Sequence, residues 1–179
     1  MTPEHELYRS SRIDGSYFHA MLNCHPHHNW WLELALKYLP PEVLDQHKER
    51  LLFTSTAHRD ACRVARHYCE TREIILLSDR VLPGRSVRNE THPKARYFIY
   101  VVLHEVAHAI RNHKSQRFDG ISAEENDAQE QEAGALAMQW FNEHIQKRKK
   151  PHLHPITEQE LKVAQAANQE LMEKALAGV

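Results

Sequence analysis

The sequence predicts one α+β domain: a small twisted sheet, a buried helix lying under it, and a helical C-terminal part. Three observations predict it. A chain of 179 residues is long enough to bury one hydrophobic core and too short for two sizeable ones. Strand-forming residues gather in one block between Leu51 and Leu77. Beyond that block, apolar residues recur at helical spacing over 93–111, over 123–150 and again after Thr157.

Taken in order, residues 1–29 are polar and His-rich, end in Cys24-His25-Pro26-His27-His28, and carry neither helical nor strand period; they read as an N-terminal arm. From Trp30 a compact apolar set (Trp31, Leu32, Leu34, Ala35, Leu36, Tyr38, Leu39) forms a helix that stops at Pro40-Pro41, because proline cannot continue it. Pro41 suits the first turn of a second helix, through Val43 and Leu44 to about Arg50. Leu51 to Thr56 reads as a strand. Val64 to Glu70 and Glu73 to Leu77 read as two more, joined by a tight turn at Thr71-Arg72, with a helix over 59–66 as a competing reading. Pro83-Gly84 and several charges make Ser78 to Glu90 a loop.

Pro93 then fits a first helical position, and Ile99, Val102, Leu103, Val106 and Ile110 recur at the spacing that buries one helix face. A second face carries Tyr97, Val101, His104, His108 and Arg111. After a polar loop from His113, a long helix runs from Ala123 to Lys150. Ser122 is its N-cap with Glu125 three residues on, its first turns are acidic, and Lys147 to Lys150 close it, the polarity that suits a helix dipole. Pro151 and Pro155 break the chain before Thr157 and Glu160 open a last amphipathic helix. The organisation is therefore an arm over 1–29, a main body over 30–150, and a C-terminal helix over 151–179 packed on the body or extending it.

Composition narrows the function. Twenty-three Lys+Arg against 24 Asp+Glu leave a net charge of −1, so no basic field exists to hold nucleic acid or an anionic membrane surface. No run approaches the ~20 apolar residues of a membrane span, and the N-terminus lacks a signal-peptide core, which together predict a cytoplasmic protein. Cys24, Cys62 and Cys69 form no compact pair and read as free thiols. The unusual count is histidine: 15 residues, about four times average usage.

His104-Glu105-Val106-Ala107-His108 matches H-E-x-x-H. Histidines at i and i+4 project from one helix face about a turn apart, so both imidazoles can bind one zinc ion. Glu105 lies about 100° round the helix, away from a ligand position but within reach of a water at the metal, where a general base is needed. Because histidine is abundant here, about 0.12 chance matches to the pentapeptide are expected. The context therefore carries the case: the match lies on a strongly apolar helix, after an apolar strand and before an acidic helix. For a third ligand, His113 lacks the glycine that an H-E-x-x-H-x-x-G-x-x-H arrangement needs. The next helix offers Glu124, Glu125, Asp127, Glu130 and Glu132. Glu130 follows His108 by 22 residues, room for a loop and a returning helix, while Glu132 lies about 200° from it, so only one of those two can bind.

The order of apolar strand, loop, His104-Glu105-Val106-Ala107-His108 and then Glu130-Gln131-Glu132-Ala133-Gly134-Ala135-Leu136-Ala137 resembles the gluzincin metallopeptidases, most closely the ImmA/IrrE type, over about residues 70–142. The resemblance implies a zincin-like fold, with His104, His108 and Glu130 holding Zn2+ and Glu105 as catalytic base. It implies a zinc metallopeptidase that cleaves a cytoplasmic protein or peptide laid along an edge strand, which the reading places at Glu73 to Leu77. A catalytically inactive zincin-like regulatory or protein-interaction domain is the alternative. Gly134 departs from the pattern, since relatives carry Asn or Asp there to orient a ligand histidine. Tyr97, Tyr100, His144, His152 and His154 are candidates for stabilising an oxyanion.

Overall fold

The computed structural model describes residues 26–56, 62–64, 73–149 and 152–176, and its architecture is α+β. Helix α1 spans Pro26–Leu36, so the helix opens four residues before the expected start at Trp30. The physical reason is local. Pro26 takes a first helical position, and the Trp31 indole N–H donates to His27 Nε2 at 3.2 Å, one turn back, which gives the His-rich segment a helical partner. Residues 1–25, with Cys24 and His25, lie outside the described residues. Helix α2, Pro41–His47, follows with proline at its start.

Strands β1 (Leu51–Thr56), β2 (Cys62–Val64) and β3 (Glu73–Ser78) form a sheet in the order β1-β3-β2. β1 pairs parallel to β3, Phe53 opposite Ile75, and β2 pairs antiparallel to it, Val64 opposite Ile74. Two expectations change here. β2 overlaps the expected strand at Val64 alone and rules out a helix over 62–64, because Cys62 and Val64 take register partners on β3; the proposed turn at Thr71-Arg72 lies outside the described residues. β3 is also the central strand, its backbone groups engaged on both sides, so Glu73 to Leu77 cannot serve as the edge that receives a peptide. Ile75 and Leu77 point into the core while Ile74 and Leu76 are half-buried, the period-2 pattern of a strand.

Helix α3, Pro93–Arg111, runs through the centre of the molecule. His92 caps it, its ring nitrogen accepting from the Lys94 N–H at 3.1 Å, and Pro93 occupies the first turn. Ala95, Phe98, Ile99, Val102, Leu103 and Val106 are buried against α1, the sheet and the long helix over Ala123–Arg148. The loop before α3 adds Val81, Leu82 and Val87 to the same core. A short helix α4, Gln116–Asp119, interrupts the expected polar loop.

Helix α5, Ala123–Arg148, opens on Ser122, whose hydroxyl accepts from the Glu125 N–H at 3.1 Å. It runs antiparallel to α3: Glu130 meets His104 and His108, Gly134 faces Tyr100, and Phe141 lies beneath the Arg96 guanidinium. Ala133 and Ala137 are fully buried, and their small side chains let the two helices approach closely. At its far end Arg148 pairs with Glu90 at 2.9 Å, so the basic run ends a solvent-facing helix.

Helix α6, Glu158–Leu176, starts with Thr157 Oγ1 accepting from the Glu160 N–H. Two clasps hold this C-terminal part on the domain. Asn142 exchanges two hydrogen bonds with the backbone of Ile156, and Arg96, only 2 % exposed, pairs with both oxygens of Glu160 and donates to the His154 carbonyl. No helix of the described residues is long and apolar enough to cross a membrane.

Candidate metal centre

The site forms because two periodicities converge on one spot. Along α3, His104 and His108 project from one face a turn apart, on the side turned to α5 rather than to the sheet. Along α5, Ala133 and Ala137 set the close contact with α3, and Glu130, one turn before Ala133, reaches across. The result is a cluster of three donor atoms. His104 Nε2 lies 3.0 Å from His108 Nε2 and 3.1 Å from Glu130 Oε2, and His108 Nε2 lies 3.5 Å from Glu130 Oε1.

These spacings fit a metal ion. Zinc–nitrogen and zinc–oxygen bonds of about 2.0–2.1 Å in tetrahedral geometry put ligand atoms about 3.3 Å apart, in the middle of the observed range. Two imidazoles and one carboxylate are also a donor set that zinc accepts while keeping a position open. The half-buried rings and the 51 % exposed carboxylate make the cluster reachable from solvent. Hydrogen bonds from His104 and then His108 hold the Glu130 carboxyl well below the usual carboxylate range, against the opposing effect of burial, so it is ionised as a ligand must be. Among the described residues, this is the group of three metal-binding side chains whose donor atoms converge.

Glu105, the expected base, is only 7 % exposed and is not among the converging donors, as its position round the helix requires. Glu132 is directed elsewhere. Its oxygens pair with Arg111 Nε at 3.1 Å and His113 Nε2 at 3.3 Å. His113 in turn places Nδ1 2.9 Å from His108 Nδ1, on the side of that ring away from the cluster.

The two histidines are supported unequally. His104 Nδ1 is buried and has no hydrogen-bond partner among the described residues. At Gly134, one turn past Glu130, an added Cβ would lie 3.2 Å from the Tyr100 hydroxyl, and the Tyr100 ring sits 5.9 Å from that of His104. Tyr100 thus fills the space beside His104 that a larger residue at 134 would enter. Burial, and then the charge of Glu130, push its hydroxyl pKa up, so it stays an O–H donor near the cluster.

The other expected oxyanion candidates are not brought to this place. His144 lies 14 residues past Glu130, about 21 Å along α5, and stacks on Tyr38 at 3.9 Å. His152 is exposed, His154 sits beside Glu160 at 3.9 Å, and Tyr97 lies two turns before His104. Trp31, Trp140 and Phe141 are core residues. His113 and Glu132 are the contributors that sequence spacing did not assign. The available signal was Asn112, a residue that tolerates a left-handed turn, standing between the end of α3 and His113. Comparison with protein-family models, curated proteins and solved structures returned no match for this chain.

Proposed function

We propose that this chain is a zinc-dependent metallopeptidase of gluzincin type, with a zincin-like fold, acting in the cytoplasm on a protein or peptide. The observation that carries the reading is the convergence of His104, His108 and Glu130 at spacings of 3.0–3.5 Å, on the antiparallel helices α3 and α5. His104, His108 and Glu130 would hold zinc, which would supply Lewis-acid polarisation of a substrate carbonyl and lower the pKa of a water towards ~7. Glu105 takes the proton of the attacking water and passes it to the amine that leaves when the C–N bond breaks. Tyr100, as a protonated hydroxyl beside His104, donates to the developing oxyanion. An extended peptide pairs with an exposed strand edge; of the two outer strands among the described residues, β2 lies against α3 and β1 is set further from it.

A second reading, a zincin-like regulatory or interaction domain without catalysis, draws support from His104 Nδ1, which lacks the outer partner that ligand histidines usually have. One variant separates the two. Glu105→Gln is expected to bind about one zinc per chain while losing peptide hydrolysis, read as new peptide termini when the wild-type and variant proteins are incubated with a lysate. Equal sets of termini from both proteins would refute the peptidase reading and leave the zinc-bound interaction domain.

A further inference from the structure

The end of α3 is built to hold His108. Asn112 adopts φ 54°, the left-handed region, and two hydrogen bonds close the helix there: Asn112 N–H to the Ala109 carbonyl at 3.3 Å and His113 N–H to the His108 carbonyl at 3.1 Å. That pair of bonds is a Schellman motif, in which the second residue past the helix folds back over the residue five positions earlier. The contact that accompanies such a motif is normally apolar. Here it is ring to ring, the His113 and His108 centroids 4.9 Å apart and their planes at 77°.

The direction of the hydrogen bonds follows from chemistry. A histidine that gives Nε2 to a metal carries its proton on Nδ1, so His108 is the donor and His113 Nδ1 the acceptor. His113 then carries its own proton on Nε2 and donates it to Glu132, whose other oxygen is held by Arg111. Each group has one role left once its neighbour's is fixed. His113 is 8 % exposed, so water competes little for these contacts.

We infer that His113 is a positioning residue for the metal ligand His108, and that Glu132, steadied by Arg111, fixes the tautomer of His113. The inference rests on the zinc-binding reading above. It also assigns the second carboxylate of the Glu130-Gln131-Glu132 stretch a task distinct from ligation.

The test measures zinc affinity of the full chain by competition with a chromophoric chelator. His113→Ala is expected to weaken zinc binding by roughly 10–100-fold. Since a buried ring is being removed, two shape-conserving variants accompany it. His113→Asn keeps an acceptor at the Nδ1 position and is expected to retain most of the affinity; His113→Gln keeps a donor towards Glu132, loses that acceptor, and is expected to bind as weakly as His113→Ala. In the zinc-loaded wild type, NMR should show a slowly exchanging His108 Nδ1 proton that persists in His113→Asn and vanishes in His113→Gln. A purely structural role for His113 would not separate these two variants. If the wild type binds zinc and the Asn and Gln variants match each other, the positioning role is overturned while the metal site stands; if the wild type itself binds no zinc, both fall.

Discussion

Replacing Glu130 and Glu132 separately tests the assignment of the third ligand. The two carboxylates share one turn of α5, and both are 51 % exposed, so exposure does not distinguish them. What distinguishes them is direction. Glu130 puts its oxygens 3.1 and 3.5 Å from the two imidazole Nε2 atoms, whereas Glu132 is occupied by Arg111 and His113. Structural zinc sites with four ligands bind with about 10–16 kcal/mol, or about 2.5–4 kcal/mol per ligand if shared evenly. Glu130→Ala should therefore raise the zinc Kd by about 10²–10³-fold. Glu132→Ala acts through two intervening hydrogen bonds, so its effect should stay near or below the lower end of the roughly 10–100-fold range of outer-shell groups.

Chelator competition at fixed pH and ionic strength reads both constants. Both carboxylates are half-exposed, so losing their histidine contacts should cost the metal-free fold no more than about 1 kcal/mol in either variant. That control separates a lost ligand from a damaged helix. If Glu132→Ala weakens zinc more than Glu130→Ala does, the ligand assignment is two residues out and the proposed support of His113 goes with it.

Two further outcomes concern the frame around the site. Glu160→Ala should cost about 3 kcal/mol, because it leaves the Arg96 guanidinium, only 2 % exposed, with the His154 carbonyl as its remaining acceptor. For a domain of this size that is a fall in Tm of about 6–12 °C, whereas removing both charges in Arg96→Met with Glu160→Leu should recover much of it; a single-variant loss below about 1 kcal/mol would show the pair to be solvated. His144 is pushed down to about 4, first by burial and then by the Arg148 charge, against an ordinary 6.5. The unfolded chain thus binds a proton that the folded one refuses, and stability falls as pH drops below about 6.5, by about 1–2 kcal/mol between pH 7 and pH 5 after allowing for its partial exposure. Urea titrations of the wild type and His144→Gln at those two pH values should differ by that amount; parallel pH dependence would show that His144 is not the group responsible.

The helices and the convergence of His104, His108 and Glu130 were legible in the sequence because each rests on a short-range rule. Pro93, the apolar spacing through Val106 and the Ser122 cap act within one or two turns, and the i, i+4 pair of His104 and His108 is fixed by helix geometry alone. Even Glu130 needed only the assumption of a returning helix. Strand order was different in kind: that β3 lies between β1 and β2 depends on pairing across long chain separations, which no local pattern states. The His113–Glu132 support was hidden for another reason. It depends on one left-handed residue, Asn112, which converts a five-residue spacing that suits no helix face into a ring-on-ring contact.

The abundance of histidine looks different once its members are placed. His27 accepts from Trp31, His92 caps α3, His144 stacks on Tyr38, and His154 lies beside Glu160; each answers a local demand for a polar planar group, and none approaches the donor cluster. Composition alone would count these equally with His104 and His108, which is why the excess raises the rate of chance motif matches without raising the number of metal sites. What separates His104, His108 and His113 is that their rings form a continuous row, with centroids 4.6 and then 4.9 Å apart, running from the cluster to a carboxylate held by an arginine. A row of that kind needs three conditions at once: a helix to set the first two rings, a left-handed cap to return the third, and an antiparallel neighbour to bring a carboxylate to each end. Random placement of histidines satisfies the first condition readily and the other two rarely, so the support behind His108 argues for a built metal centre more strongly than the pentapeptide does.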